Sequence, residues 1–427
     1  MTHLFNPRAT LGALRQLGWW LLLVTPVGVL AGSASALFLW SLDRATQTRF
    51  EHPWLLFLLP VAGAGMAWAY HAYGKNAERG TNLLIDEIHQ PGGGVPKRLT
   101  PLILATTLVT HLFGGSAGRE GTAVQMGGGL ASTFARLCRI PEQHRRMLLM
   151  AGVAGGFGSV FGTPLAGAIF AMEVLTVGRI QYEMLIPCAL AALIGDFTCG
   201  AWGIQHTGML ISSQLAPGTL TVGRLDLALL GKVAAAGAIF GLCAQLFART
   251  THGIGAVFKS QVSPFWLRPV IGGAIVIELT YALGTRSYLG LGTWSPYPGD
   301  VTISTLFHAG GAETWSWFWK LLFTAVTLGT GFKGGEVTPL FFIGGALGNT
   351  LAGPLGIPVD LCAGLGFIAV FAGASNTPLA CTLMGVELFG ADHALLFALA
   401  CFASYYFSGH AGIYSAQRLG LSKHAEA

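Results

Sequence analysis

The chain has 427 residues, 52% of them hydrophobic and 10% charged, with 61 glycines and a net charge of +5. Soluble domains carry about a quarter charged residues, so this composition excludes a soluble globular protein and identifies a membrane protein. The mean hydropathy of +0.60 agrees, and no basic run of the kind that binds nucleic acid occurs. In chain order, Arg8 and Arg15 precede a first apolar run at 17–42. That run is too long for a cleaved signal peptide and reads as a retained helix with a cytoplasmic N-terminus. Apolar runs follow at 54–70, 101–113, 147–172 and 184–194, then at 227–247, 270–283, 318–328, 340–355, 364–371 and 395–407. Several fall short of the ~20 residues a spanning helix requires. Short, glycine-interrupted segments predict broken helices that line a site; the other account of the glycines is close helix packing alone.

The charges sit at the ends and in connections: Lys97-Arg98 in a short loop, Arg136, Arg139, Arg145 and Arg146 in another, and Lys423 in the C-terminal tail. A long extramembrane loop is expected over 284–314, with Trp294, Trp315, Trp317 and Trp319 suited to an aromatic belt. Seven cysteines form no CxxC pair, and the twelve histidines form no HxxxH spacing. Neither a disulfide frame, a metal site nor a cofactor is therefore expected.

An internal repeat organises the chain. Glu120 and Glu336 lie 216 residues apart, as do Thr122 and Thr338, and Gly128-Gly129 meets Gly344-Gly345 at the same offset. Thr163-Pro164-Leu165-Ala166 recurs as Thr377-Pro378-Leu379-Ala380, and Glu173 as Glu387, both at an offset of 214. Two halves, about 1–210 and about 225–427, are thus expected to meet in the polar stretch 205–226. They would form one transmembrane domain over 1–427, with no cytoplasmic regulatory domain. Short discontinuous helices in two such halves predict inverted repeats with a site at their interface near the bilayer midplane.

The chemistry lies in Gly114-Gly115-Ser116-Ala117-Gly118-Arg119-Glu120-Gly121-Thr122 and its partial copy Lys333-Gly334-Gly335-Glu336-Val337-Thr338. Each sets a carboxylate among glycines in an apolar context, and an acid at membrane depth marks a functional site. Helix N-termini aimed at the midplane present free N–H groups and partial positive charge, which together make an anion site. The glycines let the backbone approach a small ion. The hydroxyls of Thr122 and Thr338 either ligate it or cap their helices. A glutamate there can occupy the anion position until protonation releases it, so anion and proton compete for one place. Lys333 either pairs with Glu336 or is a plain loop cation. Asp86 and Glu87 read as a solvated cytoplasmic face. Glu173 and Glu387 read as equivalent structural acids bonding backbone.

These residues resemble the CLC chloride channel and transporter family over nearly the whole chain. Gly118-Arg119-Glu120-Gly121 is similar to the family's G(K/R)EGP motif, with Thr122 in place of proline. Gly335-Glu336-Val337-Thr338-Pro339 occupies the place of GxFxP. The resemblance implies that Glu120 is the external gating and proton-coupling glutamate and that Tyr414 contacts the central anion. The segment corresponding to GSGxP is Gly80-Thr81-Asn82-Leu83-Leu84, where Asn82 either orients Thr81 or caps the following helix.

The departures narrow the resemblance. Val337 replaces the phenylalanine of GxFxP, Glu336 is an added acid, and Val174 stands where chloride/proton exchangers place an internal glutamate. Together they resemble the bacterial fluoride/proton antiporter branch. Fluoride holds water tightly, so its site needs dense hydrogen bonds and no apolar rings; Val337 and the Thr338 hydroxyl act in that direction. Glu336 either stays protonated or titrates as a possible proton carrier. The resemblance thus implies an all-α membrane protein, a multi-pass homodimer of the bacterial inner membrane. Its anion site would comprise Thr81, Asn82, Gly118, Arg119, Gly121, Val337, Thr338 and Tyr414. It would exchange fluoride for protons. Alternatives are a chloride/proton exchanger or passive anion channel of the same family, and a membrane-embedded enzyme using Glu120 and Glu336. The last is disfavoured because neither half carries a nucleophile, metal cluster or cofactor motif.

Overall fold

A computed structural model describes residues 7–206, 208, 211–213, 220–221 and 224–423. Fifteen α-helices fill it. The first half runs α1 (Pro7–Glu51), α2 (Leu59–Ala69), α3 (Thr81–His89), α4 (Leu99–Leu112), α5 (Glu120–Leu137), α6 (Glu142–Phe161), α7 (Pro164–Glu173) and α8 (Leu185–Ala201). The second runs α9 (Leu227–Gln261), α10 (Leu267–Leu283), α11 (Ser316–Gly329), α12 (Val337–Leu355), α13 (Val359–Ser375), α14 (Pro378–Phe389) and α15 (Ala394–Phe407). Strand content among the described residues is slight: Thr176–Val177 pairs in parallel with Arg418–Leu419, and Leu220–Thr221 antiparallel with Arg224–Leu225. Among the described residues, four helical stretches are long and apolar enough to cross a membrane: Leu11–Glu51, Pro53–Arg79, Tyr182–Ala201 and Leu227–Gln261. Most of the others are too short, as the fragmented apolar runs predict.

Local chemistry explains where helices break. The apolar run 147–172 is two helices, because Gly162 closes α6 in the left-handed region (φ 71°) and Pro164 starts α7. The second half repeats this with Asn376 (φ 60°) before Pro378. Proline disfavours helical geometry in the residue before it, so Thr163 and Thr377 both leave the helix, at φ −128° and −127°.

Glycine serves packing as well as the site. A Cβ on Gly127 of α5 would lie 2.1 Å from the Gly152 carbonyl of α6. One on Gly344 of α12 would lie 2.0 Å from that of Gly366 in α13. Both helix pairs therefore touch backbone to backbone, as small-residue contacts in membranes do. Rings fill the centre: Phe341 stacks on Phe367 at 4.0 Å, and Phe157 on Phe170 at 4.3 Å.

The joining stretch 205–226 lies partly outside the described residues; of it, Ser212 N and Ser213 N donate to Asp360 at the start of α13, each at 2.8 Å. Lys423 is not a free tail cation. Its ammonium donates to Asn376 Oδ1 (2.5 Å), Tyr405 O (2.8 Å), Ser408 Oγ (3.0 Å) and Gly409 O (2.5 Å), tying the tail to α13 and α15. Trp294 and Trp315 are exposed on or beside the 284–314 connection.

Candidate anion site

The two glycine-bounded acids come from equivalent connections, α4 to α5 and α11 to α12, and the fold lays these against each other. Gly118 N donates to Gly335 O at 2.6 Å and Gly335 N to Gly118 O at 2.8 Å, an antiparallel bridge of two residues. Ser116 N adds a bond to Thr327 Oγ1 (3.1 Å), and Ser116 Oγ lies 2.9 Å from Thr324 Oγ1. These hydroxyls satisfy backbone and one another where water is excluded.

Glu120 opens α5 and is 1% exposed. Its carboxylate crosses the bridge to the start of α12. Oε2 accepts from Thr338 N (3.0 Å) and from Arg119 N (3.1 Å), and Oε1 accepts from Thr338 Oγ1 (2.5 Å). The Arg119 guanidinium Nε stands 3.5 Å from Oε1. The residue that begins one half-helix thus closes the N-terminus of the other, where partial positive charge favours an anion. Glu336 precedes α12 and is half-buried. Its Oε2 lies 3.7 Å from where a Gly121 Cβ would stand, so glycine at 121 keeps the two acid-bearing turns close.

The remaining sequence-selected residues divide around this centre. Thr81 begins α3 behind Gly80 (φ 55°), and Gln125 Nε2 approaches its hydroxyl at 3.4 Å. Asn82 neither caps α3 nor bonds Thr81. Its Oδ1 accepts from Ala416 N at 3.0 Å, because the C-terminal segment returns beside α3 and presents an unpaired amide. Tyr414, from the same segment, is buried edge-on to Phe170 and within electrostatic range of both Glu336 and Glu120. Val337 is buried. Thr122 does not cap α5: its hydroxyl pairs with that of Thr107 on α4 at 2.7 Å. Lys333 makes no ion pair with Glu336 among the described residues and lies over the Tyr70 ring at 4.5 Å. Asp86 pairs with Arg79.

A cavity of about 440 Å³ reaches Glu120, with Arg119, Thr338, Asp43, His206 and Phe341 among its walls. Exchange of phenylalanine for Val337 does not clear rings from this approach, since Phe161, Phe341 and Phe367 also line it. One helical turn separates Val337 from Phe341, so both face the same way.

Sequence reasoning passed over several buried polar residues here. His111 Nε2 lies 3.4 Å from Gly118 O. Fully buried Lys320 donates to Tyr288 O (3.1 Å) and Gly290 O (2.7 Å). Gln125 bridges α5 toward Thr81. His111 and Lys320 each interrupt an apolar run, which was the available signal; Gln125 lies outside those runs. At the far ends of the halves, Glu173 accepts from Leu379 N (3.1 Å) and Ala380 N (2.8 Å) at the start of α14. Glu387 accepts from Leu165 N (2.9 Å) and Ala166 N (2.8 Å) at the start of α7.

The family described as voltage gated chloride channel matches residues 61–409. A chloride/fluoride channel protein of Pseudomonas syringae pv. tomato is 50% identical over 420 residues, covering 98% of this chain and 91% of the relative. The crystal structure of a CLC-type fluoride/proton antiporter superimposes with a TM-score of 0.88 at 33% identity, covering 95% of this chain and 98% of the other. A slow cyanobacterial Cl⁻/H⁺ antiporter shares the fold, with a TM-score of 0.73 at 18% identity and coverage of 93% and 96%. The chain is an all-helical membrane protein that belongs to the CLC, or voltage gated chloride channel, family.

Proposed function

We propose that the protein is a proton-coupled fluoride exporter, a fluoride/proton antiporter acting as a homodimer in the bacterial inner membrane. The chain would be one transmembrane domain over 1–427 whose repeats, about 1–210 and about 225–427, share the site. One observation carries this reading: the Glu120 carboxylate occupies the N-terminus of α12, held by the amide and hydroxyl of Thr338. A carboxylate so placed stands in for the anion. Protonation removes the charge those donors stabilise, so the side chain leaves and an incoming fluoride takes the vacated bonds. Deprotonation returns it. Anion and proton therefore alternate at one position.

Thr338 and the 118–121 backbone would ligate the ion, and Arg119 would lend positive potential. Thr81, Asn82, Val337 and Tyr414 would shape the inner part of the route, and Glu336 would carry a proton beside Gly121. Likeness to the fluoride/proton antiporter at 33% identity supports fluoride. A chloride-moving role, exchanger or passive, is the second reading; the apolar rings along the approach favour it, because chloride is less strongly hydrated than fluoride.

The test is flux from reconstituted vesicles, read with a fluoride electrode and a chloride electrode, with and without a proton gradient. Wild-type protein drives fluoride against its gradient using protons, and Glu120→Gln abolishes that coupling while leaving passive movement. Gradient-driven fluoride transport surviving Glu120→Gln sinks the assignment. Equal passage of chloride and fluoride transfers it to the second reading.

A further inference from the structure

Away from the Glu120 cavity, a pocket of about 70 Å³ forms where the α3–α4 connection meets the α5–α6 connection. Arg136, Arg145 and Arg146 line it, against the carboxylates of Glu87 and Glu142. Among the described residues none of these arginines forms an ion pair with either acid. Glu87 is engaged by its own loop, accepting from Gly92 N and Gly94 N at 2.9 Å each. Arg145 Nε donates to Ile140 O (3.0 Å) and Arg146 Nη2 to Gln181 Oε1 (2.6 Å). That leaves Arg136 Nη2 and Arg146 Nε buried with no hydrogen-bond partner among the described residues. Buried unpaired donors are costly, and in native structures they mark a missing partner.

Two further features point to what that partner is. Arg145 and Arg146 lie within the first five residues of α6, where the helix dipole disfavours cations and favours an anion. A Cβ on Gly94 (φ 69°) would sit 2.9 Å from Arg136 Nη1, so glycine there lets the guanidinium approach the loop closely. Guanidinium forks match the oxygens of phosphate groups. The volume of about 70 Å³ has the scale of one small tetrahedral group.

We propose that this pocket binds a phosphate-class oxyanion, as inorganic phosphate or as the headgroup of an anionic lipid. Lys97, Arg98 and Arg139 lie on the same two connections. The cation-rich face is the cytoplasmic one, where both sources occur. The site is independent of the transported ion.

The test uses the full-length purified protein in two arms. Radiolabelled inorganic phosphate is titrated against detergent-solubilised protein, and native mass spectrometry counts phosphatidylglycerol against phosphatidylcholine retained from vesicles. Arg136→Gln and Arg146→Gln weaken binding about tenfold or more, the cost of one lost charge-assisted bond. Exposed Arg139→Gln, outside the pocket, leaves binding unchanged. Arg136→Lys keeps charge but not the fork, and serves if the glutamine variants do not fold. Phosphate binding without selective lipid retention assigns the free ion, and lipid retention without phosphate binding assigns the headgroup. Binding in neither arm, or binding indifferent to Arg136 and Arg146, overturns the proposal.

Discussion

Replacing Gly335 by alanine tests whether the two half-helices must meet at the Gly118–Gly335 bridge. The added Cβ would stand 2.8 Å from Gly121 N and 3.3 Å from both Glu120 N and Gly118 C. Carbon meets such atoms at about 3.5 Å or more, so one connection must retreat by over half an ångström. The bridge bonds, at 2.6 and 2.8 Å, do not survive that shift intact. Overpacking costs about 1–3 kcal/mol, and each lost bond adds about 1 kcal/mol. Because the same movement separates Thr338 from Glu120, flux should fall at least tenfold, the equivalent of about 1.4 kcal/mol. Gly65→Ala in α2 is the control: its Cβ meets nothing within 4 Å, and alanine in a helix interior is neutral or stabilising. Fluoride efflux from vesicles and thermal unfolding in detergent read both variants. Gly335→Ala with wild-type flux and stability would show that close approach of the two turns is not required.

Thr338→Val removes the hydroxyl bond to Glu120 Oε1 and keeps the amide bond to Oε2. Bonds to charged groups contribute about 1.5–3 kcal/mol, so efflux should fall roughly tenfold to a hundredfold, and Thr338→Ser should restore most of it in the same assay. Glu173→Gln and Glu387→Gln each weaken two bonds to backbone at a helix start. Each should lower stability by about 1–3 kcal/mol, measured by thermal unfolding, with proton coupling of the folded fraction intact. Lys320→Met leaves the carbonyls of Tyr288 and Gly290 without their donor. At about 1–3 kcal/mol for each unsatisfied group, it should lower the unfolding temperature clearly; an unchanged one would mean that water replaces the ammonium.

The repeat was legible because it leaves a period: the offset of 216 puts Glu120 and Glu336 at equivalent helix starts, and that of 214 puts Glu173 and Glu387 at equivalent helix ends. The helix breaks were legible too, since Thr163-Pro164 and Thr377-Pro378 announce them locally. Contacts between distant residues carry no such mark. Asn82 finds Ala416 across more than three hundred positions, and that amide is free only because the C-terminal segment ends its helix before returning to α3. Burial alone hides Lys320. Within the run 318–328 its charge looks like an interfacial cation, whereas the fold folds the 284–314 connection over it and supplies two carbonyls. The threonines show the same limit. Thr122 and Thr338 are equivalent by offset, yet one pairs with Thr107 and the other with Glu120.

That inequality has a physical origin. Were the halves identical, each acid would reach the opposite helix start, and two carboxylates would share one positive field. Like charges so close disfavour joint ionisation. The structure breaks the symmetry instead: Glu120 crosses to α12, while Glu336 remains beside Gly121 without an ion pair among the described residues. The outer acids keep it, since Glu173 holds the start of α14 and Glu387 the start of α7 in reciprocal fashion. Symmetric, doubly bonded contacts suit a frame that must not move. The single asymmetric contact is made by one side chain, and in the proposed cycle it is the one that moves without unlocking the rest.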